Sequence, residues 1–413
     1  MPTPSTGPAP LAAAAAGHDG NDQDAAGREV AGVVCRYLES GGPLSVADGS
    51  GVIGELEQRL EELLGVSGVL TFSSGTGALH AAYLALDLPP GSEVIAPVLG
   101  FHACVTPALH CGLSAVLVDV DPGTGNMSPA ALRAAITSRT RCVTVVHYLG
   151  HPAEMNEITA ICRKYGLRLV EDCSHAYLSA FRTRPVGTFG DIAAWSMDVK
   201  KTLSAGVGGF LATPYRELAD RALLAGHYRG RSHTQVADPA LRAFAETGLG
   251  LKYRLHPLAA VIALAGAGTL RARVERRQVL LSRLSDGLAQ VPGITPPTVR
   301  GDARMGGWFS YRPAAPGRDD AALGRLLEDL RAGGVPAHLP SIGPLDELPL
   351  FTSPVPLQAA AGTWQPRLCG PFDGARAYQR GRFSVTVRDS DSLDLMDAYA
   401  AAFAAAAAAA DAA

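Results

Sequence analysis

Short apolar runs alternate with stretches of helical periodicity over the first half of the chain, and this alternation leaves few architectures open. Gly68 to Phe72, Glu93 to Ala96, Ala115 to Asp119, Cys142 to Val146 and Arg168 to Val170 read as buried strands, with helical stretches between them. Strands apolar on both faces and separated by helices favour a mostly parallel sheet covered on both sides, an α/β fold. Ahead of them, Leu56, Leu60, Leu63 and Leu64 mark one face of an amphipathic helix over Glu55 to Leu64, which passes through Gly65 into the first strand. The helix before Arg168 carries Ile158, Ile161, Cys162 and Tyr165 on one face and stops at Gly166. The run Leu169-Val-Glu-Asp-Cys-Ser-His175 then places Asp172 at a strand's carboxyl end, where ligands of open α/β sheets collect.

Downstream, Lys201 stands in the run Trp195-Ser-Met-Asp-Val-Lys-Lys-Thr-Leu-Ser-Ala-Gly-Val-Gly-Gly209. A buried amine and a strand-end carboxylate suit pyridoxal 5′-phosphate: the amine condenses with the cofactor aldehyde, and the carboxylate keeps the pyridine nitrogen protonated so that the ring accepts electrons. Upstream, in Thr71-Phe-Ser-Ser-Gly-Thr-Gly-Ala-Leu-His80, small residues precede a helical pattern of Leu79, Tyr83 and Leu86. Glycines let backbone approach a phosphate closely, and the amides and dipole of a helix start favour a dianion there.

With these runs in place the chain resembles the DegT/StrS family of sugar and aminocyclitol aminotransferases, from about Ser45 to roughly Leu280. The matching stretches are Ser74 to Thr76, Gly91-Ser-Glu-Val-Ile-Ala-Pro97, Val118-Asp-Val-Asp121, Val146-His-Tyr-Leu-Gly150, Glu171-Asp-Cys-Ser-His-Ala176, Pro185-Val-Gly187, Gly190-Asp191, and Ser196 with Lys201. The resemblance implies a fold type I enzyme with pyridoxal phosphate as cofactor. Lys201 falls on the Schiff-base lysine, with Lys200 one position out of register. Asp172 falls on the pyridinium partner, His175 on the residue that contacts the ring face or its phenolic oxygen, and Phe101 on the stacking aromatic. Ser196 with Gly75, Thr76 and Gly77 falls on the phosphate-binding set. Lys252 and Arg254 fall where the neighbouring subunit supplies phosphate contacts, which implies a homodimer with shared sites.

The chain departs from the family pattern at several positions. Val207 stands where the family usually has an acidic residue, Thr202 where it has Asn, and Tyr177-Leu178 where it has His-Gly. Leu178 thus occupies a position where glycine would permit close packing or positive φ. Members that dehydrate deoxysugars carry histidine in place of the lysine, so Lys201 argues for transamination. The expected reaction moves an amino group from L-glutamate or L-glutamine to a nucleotide-linked ketosugar or a keto-cyclitol, in a biosynthetic pathway that a GC-rich composition makes compatible with secondary metabolism. The alternatives are another reaction on the same cofactor, an elimination or an oxidation, and a non-catalytic regulator or scaffold. Arg229, Arg231 and His233 form a basic loop that could meet a diphosphate or be solvated.

A chain of 413 residues, 47% hydrophobic and 18% charged, is long enough for two units. The expected division is a disordered tail over 1–27, a large cofactor-binding domain over 28–270 and a smaller α+β domain over 271–413. A long helix around Leu258 to Leu288 leaves the large domain, with Arg271, Arg273, Arg276 and Arg277 on a solvated face. A helix over Asp319 to Ala332 follows, and the alanine-rich run from Ala400 ends the chain as a fraying helix. The net charge of −3 gives no reason to expect nucleic acid. Seven scattered cysteines without a C-x-x-C pair suggest neither disulfides nor a metal site. The first residues lack the basic cluster of a secretory signal, and no apolar run reaches the ~18 residues of a membrane span, so the cytoplasm is expected.

Overall fold

The computed structural model describes residues 21–353 and 366–411. Eight strands form the central sheet: β1 (Val69–Phe72), β2 (Glu93–Pro97), β3 (Ser114–Val118), β4 (Thr140–Val146), β5 (Arg168–Asp172), β6 (Ile192–Ser196), β7 (Gly209–Ala212) and β8 (Arg367–Cys369). Their order in space is β1-β7-β6-β5-β4-β2-β3-β8, and β7 alone runs antiparallel to its neighbours. This is the mostly parallel α/β sheet expected from the alternation. The five strands read from the sequence are all present; β5 continues two residues further, to Asp172 itself. β6 and β7 flank the Lys201 run and were not read as strands.

Local signals account for the helices beside the sheet. In Val52–Leu64 the side chains of Leu56, Leu60, Leu63 and Leu64 are buried, and Gly65 ends the helix at φ 68°, a left-handed cap suited to glycine. Burying each such leucine contributes about 1.5–3 kcal/mol. In Met155–Tyr165, Ile158, Ile161 and Cys162 face the core and Gly166 caps at φ 63°. Tyr165, expected on the same face, is exposed at the final turn.

The helix Pro257–Leu288 joins two apolar cores. Ala260, Ala263, Ala267, Leu270 and Val274 pack with the large unit, whereas Leu280, Leu281, Leu284 and Leu288 pack with Leu326, Leu330, Phe383 and Phe403 of the smaller one. Part of this helix is long and apolar enough to cross a membrane by length and composition alone, a property the sequence reading did not find; 39% of that window is buried inside the molecule. Of its arginines, Arg271 and Arg276 are exposed, as expected, whereas Arg273 and Arg277 are half-buried, and all four have partners. Arg273 and Arg277 pair with Asp389 at 2.9 and 3.5 Å, Arg276 donates to the carbonyls of Asp389 and Asp391, and Arg271 to that of Leu63.

The division at residue 270 also needs amending. The chain re-enters the large unit after the smaller core: Leu345, Phe351, Phe372, Ala375 and Tyr378 join its core, and β8 pairs in parallel with β3. Of the expected tail, residues 1–20 lie outside those described, and a helix Asn21–Glu39 takes in residues 21–27. The alanine-rich end is helical from Leu393 to Asp411, with Phe403, Ala406 and Ala407 buried.

Candidate active site

The carboxyl ends of β5 and β6 and the start of the helix Gly75–Leu86 surround one cavity of about 420 Å³. Gly75, Thr76, Phe101, Asp172, His175, Ser196 and Lys201, all singled out from the sequence, line it. Residues from four separate stretches of chain thus converge at one sheet edge.

The helix start is built for an anion. Ser74 caps it, its Oγ accepting from the Gly77 amide at 3.0 Å. Gly75 lies so near β6 that a Cβ there would stand 2.7 Å from Ser196 Cβ. A Cβ on Gly209 would meet Gly75 N at 2.3 Å, so β7 also requires glycine where it passes this turn. Gly77, expected among the cofactor contacts, does not line the cavity; it faces a neighbouring cleft with His80 and Tyr253.

Asp172 is 4% exposed at the end of β5, and one of its carboxylate oxygens accepts from the Ser174 amide at 3.0 Å. Lys201 follows a turn in which Asp198 O accepts the Lys201 amide at 2.9 Å and the Asp198 side chain accepts that of Lys200. Burial lowers the Lys201 amine below the ordinary lysine value, against the opposing charges of Asp172 and Asp198. Burial, with the charges of Lys201 and Arg312, holds His175 well below the usual imidazole value. Its Nδ1 is buried without a partner among the described residues.

Phe309, which follows the long helix and packs against the core of the large unit, completes the cavity. Its ring lies parallel to the His175 imidazole, centroids 3.9 Å apart, and Lys201 Nζ stands 4.3 Å from its centroid. Close packing places it. The amides of Gly306, Gly307 and Phe309 donate to Ser179 Oγ, Tyr177 O and Leu149 O, and a Cβ at Gly306 would overlap Tyr177 O at 1.8 Å. Leu149, Leu178 and Trp308 at this junction all have left-handed backbone, with φ of 54°, 59° and 45°. Leu178 therefore holds the positive φ that the family's glycine would take without strain.

Asp198, Lys200, Val207 and Ile342 also line the cavity. Lys252 and Arg254 do not. The basic loop is engaged elsewhere: buried Arg231 makes a bidentate pair with Glu57 at 2.8 and 2.6 Å, and Arg229 and His233 both pair with Glu246. Glu57 thus withdraws Arg231 from solvent, whereas Arg229 and His233 stay exposed, as the solvated alternative expects.

A second cluster, His147, Glu171 and Cys173, brings metal-ligand types together. The hydrogen bonds of His147 and Glu171 are complete without an ion. His147 Nδ1 accepts the Ala153 amide, so Nε2 carries the proton and donates to Glu171, which also accepts the amides of Gly187, Phe189 and Gly190. Burial and the adjacent Glu171 carboxylate hold the Cys173 thiol well above its ordinary value.

The main cavity fits pyridoxal phosphate: an amine, a buried carboxylate, an unpartnered imidazole nitrogen and a glycine cradle at a helix start.

Comparison with known proteins agrees. The DegT/DnrJ/EryC1/StrS aminotransferase family matches residues 45–365. The protein MosB of Rhizobium meliloti is 33% identical over 305 residues, 71% of this chain and 59% of that protein. The L-glutamine:scyllo-inosose aminotransferase of Streptomyces griseus is 38% identical over 224 residues, 53% of this chain and 52% of the relative. The chain thus spans between half and two thirds of the length of these curated relatives. The crystal structure of 3-amino-5-hydroxybenzoic acid synthase superposes with a TM-score of 0.76 at 25% identity, covering 92% of this chain and 96% of that one. By sequence and by fold, the chain belongs to the DegT/DnrJ/EryC1/StrS aminotransferase family.

Proposed function

We propose that the protein is a pyridoxal-phosphate-dependent aminotransferase that moves an amino group from L-glutamate or L-glutamine to a cyclic ketone, a keto-cyclitol or a ketosugar. The observation that carries this reading is the convergence of Lys201, Asp172 and the Ser74–Thr76 helix start on one cavity. When bound, the cofactor supplies an aldehyde and an electron-accepting ring. Gly75, Thr76 and Ser196 would hold its phosphate, Asp172 its ring nitrogen, and Phe101 and His175 its ring.

Lys201 Nζ is the proton carrier. Burial lowers its affinity for a proton, which suits an amine that must accept one and return it near neutral pH. Phe309 keeps water from one side of the amine and of His175. The engagement of Arg229 and Arg231 with glutamates favours an acceptor without a diphosphate, and the scyllo-inosose acceptor named for the Streptomyces relative is of that kind.

Lys252 and Arg254, outside the cavity of their own chain, would complete the phosphate site of a second copy, so the functional unit is a homodimer. A monomer in sedimentation that binds the cofactor tightly would contradict this. The seven free cysteines fit a reducing cytoplasm.

The test is the absorption spectrum of the purified protein before and after L-glutamate or L-glutamine, beside Lys201→Ala. A visible band bleached by the donor and absent from the variant is expected. No band after cofactor addition would remove the enzyme reading and leave the scaffold alternative.

A further inference from the structure

Arg312 and Arg382 of the smaller unit lie against Tyr148 and Tyr378 with no acidic partner among the described residues. Arg312 is 7% exposed; it donates to Tyr148 Oη at 3.0 Å, and its buried Nε has no partner among those residues. Arg382 stands 4.2 Å from the centroid of the Tyr378 ring and donates to the carbonyls of Tyr378 and Arg312. The two tyrosine rings meet edge to face, centroids 5.7 Å apart. Burial raises the Tyr378 phenol to about 12, so it stays neutral. Two positive charges are therefore joined by one hydrogen bond. The stretch 354–365 contains no aspartate or glutamate to offset them.

Other enclosed arginines in this molecule do have carboxylates. Arg231 has Glu57, Arg277 has Asp389, and Arg300 has Glu154 and Asp302. A buried cation without a counter-charge costs several kcal/mol. The cleft between Arg312 and Arg382, lined also by Thr124, Thr298 and Ser310, has about 20 Å³ of free space, enough for one water-sized particle.

We propose that a single small inorganic anion of halide size binds between Arg312 and Arg382. It supplies the missing counter-charge and fastens the smaller unit to the Tyr148 segment of the large one. The site stands behind the cofactor cavity, since Tyr148 is also 6.5 Å from the His175 ring.

The experiment uses the full-length holoenzyme with excess cofactor. Sodium chloride replaces sodium gluconate at constant ionic strength while Tm is followed, for wild type and Arg382→Gln. Chloride should raise the wild-type Tm by about 2 °C and saturate, and the variant should show no rise. In parallel, crystals of the wild type soaked in bromide should give an anomalous peak between the two guanidinium groups, a readout that does not depend on the variant folding. Equal Tm in both salts, a chloride effect retained by the variant, or no bromide peak would overturn the assignment. So would an Arg382-dependent response to inorganic phosphate in place of chloride.

Discussion

The imidazole of His175 lies flat on the phenyl ring of Phe309, 6° from parallel. One residue follows the central strand β5; the other follows the long helix and packs against the core of the large unit, so the stack walls the cavity beside Lys201. Phe309→Ala should uncover His175 and let its pKa rise toward the ordinary imidazole value, which NMR of the ring protons reads directly. The widened cavity should also relax discrimination between acceptor ketones, raising KM for the preferred one more than it lowers kcat. An imidazole that stays non-titrating in the variant would show that its burial comes from elsewhere.

Asp172 and Asp198 both oppose the depression of the Lys201 amine by burial, Asp172 more strongly. Removing either charge should move the pH midpoint for cofactor capture by the apoprotein toward lower pH, because capture needs the neutral amine. Stopped-flow absorbance with Asp198→Asn and Asp172→Asn tests this, with the larger displacement expected for Asp172→Asn. A midpoint unmoved in Asp198→Asn would assign that side chain to the Lys200 amide bond alone.

How far the sequence reached depended on whether each signal was local. Leu56, Leu60 and Gly65 announce a helix and its end within a few residues, and the run to Asp172 announces a strand end in the same way. The positive φ of Leu178 could be anticipated because the resemblance places a glycine there. Phe309 had no such signal: it reaches the cavity through glycines packed against Tyr177 and Thr202, contacts set by tertiary fold alone. The burial of Arg231 within the basic loop was hidden for a related reason, since Glu57, which neutralises it, lies 174 residues earlier.

That pair yields a prediction. Arg231→Met leaves Glu57 buried with only Thr71 as a remaining partner, and should cost about 3 kcal/mol in urea unfolding. Arg229→Ala removes an exposed pair worth at most about 1 kcal/mol and should leave KM for the acceptor unchanged. A raised KM would return the loop to the site.

Glu171 accepts three backbone amides and one imidazole N–H with no exposed oxygen. Glu171→Gln turns one acceptor into a donor facing donors, and should destabilise by about 3 kcal/mol. Zinc added to the wild type should leave Tm unchanged; a zinc-dependent rise lost in the variant would make the cluster a metal site.

His227 links pH to stability. Burial, with Arg231 nearby, pushes its pKa down to about 3, and its ring packs edge-on to Phe72 with Nε2 unpartnered among the described residues. The unfolded chain binds a proton at His227 near pH 6.5 and the folded chain does not, so the unfolded state holds more protons between pH 6.5 and about 3. Stability is therefore full above 6.5 and falls as the pH drops, by about 1.4 kcal/mol per unit from this residue. His80, His102, His151 and His175 are shifted downward as well and steepen the loss. Urea unfolding at pH 7.5, 6.5 and 5.5 should show this decline, with a shallower slope in His227→Gln. An equal slope in the variant would mean that His227 is protonated in the folded protein, with a counter-charge supplied at its Nε2.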